Sequence, residues 1–380
     1  MPPAIPALTG LRFLAALAVV IVHFGAPFFV GLGLPGYAPR LASAGYLGVN
    51  FFFLLSGFIL AYNYLSGGTM RGTHRAFWVA RAARVLPVYW LAWLLALPLY
   101  LANASEGAYR AMPHQDSAVT VALSGVLVQS WWPHAANFLN APGWSLSTEV
   151  LFYAAFPLIG VWLTRQSSLV LLATVGGAWV LALLPAVMYL ALRPDAGVDP
   201  QWGAFGTWLQ VVKFNPVVRL PEFVMGIALG CLFLRRRTWP LPQVRPGMLA
   251  LLAVAGVVLL VTRFPAPFLM LHSGLLDPLF AMLIVSVAYD QGVLTRVLGS
   301  PVFVLLGEAS YALYLLHVPA WDALARFAGV PNLLPWGFPA FVALVTAISV
   351  LVFRVFEEPM RHRIRRVLAP RRASLTAATN

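Results

Sequence analysis

The stretch 168–192 holds twenty-five residues, and none of them is Asp, Glu, Lys, Arg or His. A helix needs about 20 apolar residues to cross the hydrocarbon of a bilayer, so this run is long enough to span one. Nine further runs of the same kind lie at roughly 11–30, 46–66, 84–102, 147–164, 215–234, 247–262, 269–289, 301–328 and 338–356. Backbone groups in lipid must find their partners within their own segment, which makes such runs helices. The predicted fold class is therefore all-α: a polytopic transmembrane helix bundle of about ten spans. Composition agrees. Of 380 residues, 61% are apolar and 10% charged, against about 25% charged in an ordinary soluble domain. That is too little polar surface to coat a soluble protein, and it excludes a soluble enzyme, a disordered chain and a fibrous one. The segment 119–131 is apolar but short, and reads as re-entrant or interfacial. The first run exceeds the core of a signal peptide, so no cleavable leader is expected.

The net charge of +13 fits the same frame. In a ten-span chain that starts in the cytosol, seventeen Arg fall in inside segments and the C-terminal tail, and seven basic residues fall outside. The positive-inside rule then places both termini in the cytosol. It also accounts for the basic charge without nucleic acid, which is not expected as a partner. The expected location is the plasma (inner) membrane, multi-pass. The expected organisation is an integral membrane domain over 1–360 and a basic cytosolic tail over 361–380. The outside segments 103–146 and 193–214 carry Glu106, Asp116, Asp195 and Asp199 and are candidate entrance regions. Asn103-Ala-Ser105 has the pattern of a glycosylation sequon, which matters only in a secretory-pathway host. The single cysteine, Cys231, allows neither an internal disulfide nor a Cys-x-x-Cys pair.

Function has to come from the polar residues left within the spans, since a charge or imidazole at bilayer depth is costly to hold there. Arg12 and His23 share the first span. Eleven residues apart, they are about 20° out of phase and about 16 Å apart along the axis. One helix face thus offers an anion binder at the cytosolic mouth and a titratable base a little beyond the midplane. Arg81 and Arg84, at i,i+3, open the third span, and arginine forks suit phosphate. The plainer alternative is a pair of topological anchors. With Arg12 on the same side, a phosphate-rich cytosolic ligand accounts for them better. Trp144-Ser145-Leu-Ser-Thr-Glu149 opens the fourth span. Glu149 reads either as a complement to the helix dipole or as a carboxylate that stabilises a histidine cation. Arg219 and Glu222 stand at i,i+3, as an intramembrane ion pair would. Ser310, Tyr314 and His317 form a stripe at i, i+4, i+7, with Tyr311 beside it; the stripe faces a cavity or bonds helices together.

Other patterns carry nothing. Gly31-Leu-Gly33-Leu-Pro-Gly36 has the letters of a dinucleotide fingerprint, but no strand precedes it and no acidic partner follows. No P-loop or nucleophile elbow occurs. The histidines lack metal-ligand spacing, so no metal is expected.

Seven motifs in order give the chain a resemblance that covers nearly its whole length. They are Arg-x10-His (Arg12, His23), Phe-Phe-Leu-x-Ser-Gly-Phe (Phe52 to Phe58) and Arg-x-x-Arg followed by Pro (Arg81, Arg84, Pro87). Then come Trp-Ser-Leu-x-x-Glu (Trp144 to Glu149), Arg-Leu-Pro-Glu-Phe (Arg219 to Phe223), Ser-Tyr-x-x-Tyr-Leu-x-His (Ser310 to His317) and Glu-x-Pro (Glu357 to Pro359). Together they resemble the membrane-bound acyltransferase family 3, whose members O-acylate surface sugars and related acceptors. The resemblance implies a ten-span core, agreeing with the count above. It implies acyl-CoA, acetyl-CoA foremost, as co-substrate on the cytosolic side, with no bound cofactor, and a hydroxyl of a sugar or glycoconjugate as acceptor. Carried onto these residues, His23 is the general base and Glu149 stabilises its imidazolium. Arg12, Arg81 and Arg84 bind the donor. Trp144, Ser145, Arg219, Glu222, Ser310, Tyr311, Tyr314 and His317 bind substrate. The chain shows neither the extra spans nor the extracytoplasmic domain of longer relatives, so direct transfer or a separate partner is expected. The other class that would use these polar residues is a proton-coupled transporter, with His23, Glu149 and His317 as a relay. Against it stands the lack of inverted-repeat symmetry.

Overall fold

The structure is a computed structural model that describes residues 3–105, 116–235, 243–328 and 336–368. In chain order its helices are α1 (Pro6–Phe24), α2 (Ala26–Gly31), α3 (Tyr37–Ser43), α4 (Leu47–Tyr64), α5 (His74–Ser105) and α6 (Ser117–Gly125). They continue with α7 (Gly143–Thr164), α8 (Ser168–Leu192), α9 (Thr207–Phe214), α10 (Pro216–Arg235), α11 (Pro246–Arg263) and α12 (Phe268–His272). The last are α13 (Asp277–Tyr289), α14 (Val293–Leu298), α15 (Pro301–Phe327), α16 (Gly337–Val352) and α17 (Glu358–Leu368). The one hairpin among the described residues pairs β1 (Leu65–Ser66) with β2 (Thr69–Met70). Its turn is Gly67-Gly68, both at positive φ (55° and 82°), as a tight two-residue hairpin requires. Ten helical segments among the described residues are long and apolar enough to cross a membrane, and the fold class is all-α.

The expected spans are recovered with corrected ends. The first does not run over 11–30. It ends at Phe24, where Gly25 and Pro27 break the chain into α1 and α2. The third begins at His74, ten residues before the expected start, because its first turns carry arginines that face protein. The sixth gains α9, set off from α10 by Asn215-Pro216. The tenth continues through a π-helical turn (Phe353–Glu357) into α17. The short apolar segment 119–131 forms α6 and a 3-10 turn (Gln129–Trp131), not a span. Glu106 and Arg110 lie outside the described residues, as does the tail beyond Leu368.

Proline inside α5, α7, α8, α10 and α15 is accommodated, as neighbouring helices and irregular turns in a membrane bundle take up the freed carbonyls. Packing between helices is driven by close approach. A Cβ at Gly57 of α4 would collide with the Phe223 carbonyl of α10, and one at Gly226 of α10 would collide with the Leu54 carbonyl of α4. The two backbones therefore touch along a small-residue seam. Gly307 plays the same part where α15 meets the Thr9 carbonyl of α1.

Contacts sort the helix ends into two faces. On one, Tyr62 Oη donates to the Pro3 carbonyl (2.8 Å) and Arg165 Nε donates to the Gly68 carbonyl (2.9 Å). Arg235 reaches the Thr164 carbonyl (3.1 Å), and α17 lies along α5. The beginning of the chain and its last described helix thus share this terminal face. The short helices α2, α3, α6, α9 and α12 cover the other, the loop face.

Candidate active site

Two sizeable cavities open in the bundle among the described residues, and different residues define them. The one nearer the terminal face measures ≈ 150 Å³. Its polar wall is built by Arg12 of α1, Arg81 and Arg84 of α5, Glu149 and Tyr153 of α7, and Ser310 and Tyr311 of α15. Glu149 and Tyr153 are one turn apart, and Tyr153 Oη donates to Glu149 Oε2 at 2.5 Å. The carboxylate lies within electrostatic reach of Arg12, Arg81 and Arg84. Arg81 donates to Tyr64 Oη (3.1 Å) and lies over the rings of Tyr64 and Tyr153, 5.4 and 6.0 Å from their centroids. Arg84 is ion-paired with Glu357 and lies 5.3 Å over the Tyr311 ring. Tyr311 Oη in turn donates to the Val85 carbonyl at 2.7 Å.

The second cavity, ≈ 190 Å³, lies toward the loop face. Its walls are aromatic, with Trp144, Trp202, Tyr46 and Phe214, and its polar groups are His23, His272, Lys213, Gln210 and Asn137. His23 sits in the last turn of α1. Its Nδ1 is 2.7 Å from the Val19 carbonyl, which can only accept, so Nδ1 carries the proton. His317 Nδ1 is 3.2 Å from the Leu313 carbonyl, which fixes the same tautomer there. His317 Nε2 is then a lone pair, 3.4 Å from His23 Nδ1. These assignments follow from the hydrogen-bond network. They leave His23 Nε2 unprotonated in the neutral ring, with no hydrogen-bond partner among the described residues. Trp202 holds the ring from the other side, edge-on, with centroids 5.5 Å apart.

Among the described residues, only Val49 and Tyr314 line both cavities. Tyr314 Oη shares a 2.8 Å hydrogen bond with Ser145 Oγ. The partition between the cavities is therefore one aliphatic side chain and one phenol already paired with a hydroxyl.

The residues singled out in the sequence divide accordingly. Arg12, Arg81, Arg84, Ser145, Glu149, Ser310, Tyr311 and Tyr314 meet at the first cavity; His23, Trp144 and Tyr314 meet at the second, with His317 behind His23. Glu149 is brought to Arg12 and Tyr153, and the group beside His23 is His317. The reason is that α7 starts inside the bundle: Gly143 to Thr148 are all buried, which carries Glu149 to the level of the arginines. Arg219 and Glu222 line neither cavity. They form a 2.8 Å ion pair, each 1% exposed. Arg219 donates to the His272 carbonyl (2.6 Å), and Asn50 bridges that carbonyl and Glu222. Together with Asn50 they fix the His272 carbonyl.

Sequence reasoning missed His272, Asn50, Trp202, Lys213 and Glu357. Lys213 falls in the outside segment 193–214, where a solvated charge is expected, yet it is 3% exposed. Its rarity was a usable signal, for it is the one lysine in the chain. Glu357 stood in a motif, but nothing in the sequence paired it with Arg84.

Comparison with known proteins adds the following. The family model described as "Acyltransferase domain" matches residues 5–354. Acyltransferase MdmB of Streptomyces mycarofaciens is 33% identical over 335 residues, covering 83% of this chain and 80% of that protein. Exopolysaccharide production protein ExoZ of Rhizobium meliloti is 30% identical over 337 residues, covering 86% and 93%. Peptidoglycan O-acetyltransferase OatA of Listeria monocytogenes is 24% identical over 388 residues, covering 94% of this chain but 56% of that protein. The chain thus spans about half the length of that longer relative. No solved structure matches the chain.

Proposed function

The chain belongs to this acyltransferase family, and we propose that it transfers an acyl group, acetyl foremost, from acyl-CoA to a hydroxyl of a sugar or glycoconjugate at the partition between its two cavities. The observation that carries this reading is the pairing of an arginine-walled cavity with an aromatic-walled one around a single shared phenol. Arginine suits the phosphates of a nucleotide-bearing donor. Aromatic walls with a few polar groups suit a ring with hydroxyls on its rim. The cavities would open to different sides of the membrane, the donor entering from the cytosol at the terminal face.

Arg12 and Arg81 draw the donor in. Arg84, already paired with Glu357, holds the wall. The acyl-bearing arm extends toward Tyr314, spanning much of the ~16 Å that separates Arg12 from His23 along α1. His23 Nε2 takes the proton from the acceptor hydroxyl as its oxygen attacks the thioester carbon. Tyr314 Oη donates to the oxyanion that forms. The C–S bond then breaks, the thiolate takes the proton from the imidazolium, and ester and free CoA leave. His317 replaces the carboxylate of the sequence-based expectation. The Val19 carbonyl holds the productive tautomer, and the His317 lone pair, 3.4 Å from the same His23 Nδ1, supports the cation. Glu149 moderates the charge of the arginine wall.

The test uses purified full-length protein in nanodiscs with acetyl-CoA labelled in the acetyl group and simple glycosides as acceptors. Label covalently attached to the glycoside, with stoichiometric free CoA, is the expected result. Glycoside movement across the bilayer with no ester formed would make the protein a transporter.

A further inference from the structure

The tenth span does not stop at the membrane. The helical run from Gly337 to Leu368 has 32 residues, about 48 Å, well beyond the ~30 Å of hydrocarbon. A π-helical turn at Phe353–Glu357 interrupts it, and α17 then packs along the first turns of α5. Such turns change which face of a helix meets its neighbour. Here Glu357, Arg361 and Arg365 stand at i, i+4, i+8 on one face. The first of them is paired with Arg84 of α5.

That leaves a charge imbalance between the two helices. Arg81 and Arg84 face α17 from α5, and Arg361 and Arg365 face α5 from α17. Arg84 lies within electrostatic reach of Arg361, and Arg365 within reach of Arg81 and Arg361. Glu357 is committed to Arg84, and Glu358 is 100° further round its helix. The Nε atoms of Arg81, Arg361 and Arg365 are buried, and none has a hydrogen-bond partner among the described residues. Three guanidinium groups with unused buried donors, none of them in an ion pair among the described residues, describe an anion site. Their planar forks suit a phosphate, which offers several acceptor oxygens to converging donors. Arg81 also lines the terminal-face cavity, so the site sits at that cavity's mouth. Arg361 and Arg365 lie beyond residue 354, where the match to the acyltransferase family ends.

We propose that α17 completes a phosphate-binding site with α5, formed by Arg81, Arg361 and Arg365 at the mouth of the terminal-face cavity. The phosphate can be that of the CoA donor, an assignment that rests on the proposed function, or that of an anionic lipid headgroup at the membrane surface. The chemistry is the same and the experiment separates them.

Full-length protein is placed in nanodiscs of phosphatidylcholine, with and without phosphatidylglycerol. Binding of CoA and of 3′-dephospho-CoA is measured in the neutral discs, and melting temperature in both. The variants are Arg361→Gln/Arg365→Gln and the charge-retaining Arg361→Lys/Arg365→Lys. The control is Arg363→Gln/Arg366→Gln, on the exposed side of α17. The wild type is expected to prefer CoA to its dephospho form. The Gln pair should bind CoA about tenfold or more weaker, the range for losing charged hydrogen bonds, and should lose that preference. The Lys pair should fall between, and the control should match the wild type. If CoA affinity is unchanged but the Gln pair loses a melting-temperature rise that phosphatidylglycerol gives the wild type, the site stands with lipid as its ligand. A wild type that binds no CoA sinks the donor reading, and the lipid arm then decides the site alone. If the Gln pair matches the wild type in both arms, the site does not exist.

Discussion

The proposed mechanism places the chemistry in a single nitrogen of His23, so its removal is expected to separate catalysis from binding. His23→Ala should lower acyl transfer by about 100-fold or more, the lower end for loss of a general base. CoA affinity should hold, because the arginine wall lies about three turns away along α1. His317→Ala tests the support of the His23 cation: kcat should fall by at least about tenfold with the acceptor KM unchanged. A KM effect alone would make His317 a wall of the acceptor cavity. Single-turnover and steady-state transfer by matched amounts of folded protein check both. Arg12 and His23 were legible in the sequence because one helix carries both and helical phase relates them. The partner of His23 was not legible. Which residue meets it depends on where α7 starts relative to α1, and burial of Gly143 to Thr148 sets that start. His272 and Lys213 were hidden for a similar reason: α9 and α12 are short and fold back over the bundle, and no periodicity announces that.

Among elements, contact depends on small residues and on one ion pair. Gly226→Val should press a side chain into the Leu54 carbonyl of α4 and destabilise the protein by about 1–3 kcal/mol, as overpacking does. Gly176→Val on α8, where a Cβ would meet nothing within 4 Å, is the control and should melt with the wild type. The Arg84–Glu357 pair fastens the tenth span to α5. Glu357→Gln leaves a largely buried guanidinium uncompensated, for Arg84 is 14% exposed, and should lose roughly 3 kcal/mol or more. The double change Arg84→Met/Glu357→Leu should recover much of that loss, since replacing both charges by apolar groups removes the desolvation penalty as well. Thermal melts in nanodiscs of fixed lipid composition measure all four. Element number was legible because ten apolar runs leave no other economical reading. Element ends were not. Arginines that face protein in the first turns of α5 look, in a hydropathy trace, like residues outside the membrane. The break at Gly25 falls within a stretch that stays apolar from Phe24 to Val30, and α9, with Gln210 and Lys213, is too polar to read as part of a span.

At the scale of the molecule, the two cavities need the two sides of the membrane to be assigned. Ten crossings return the chain to the face where it began. The contacts of Pro3 with Tyr62 and of α17 with α5 put the start of the chain and its last described helix on one face. That face also carries Arg71, Arg165, Arg235, Arg361 and Arg365, so the positive-inside rule predicts that it faces the cytosol. The loop face carries fewer basic residues, Arg40, Arg193, Arg263 and Arg326 among them, and its Lys213 is buried in a cavity wall, where it has no weight in topology. A reporter active only in the cytosol, fused after Asn380, should therefore give signal, and the same reporter inserted near Ala204 should give none. A reporter active only outside should give the mirror result. Cytosolic signal at Ala204 would put the aromatic-walled cavity on the donor's side. Arg81 and His23 would then face the wrong compartments, and a transfer that takes acyl-CoA from within and delivers to an acceptor outside could not run through this bundle.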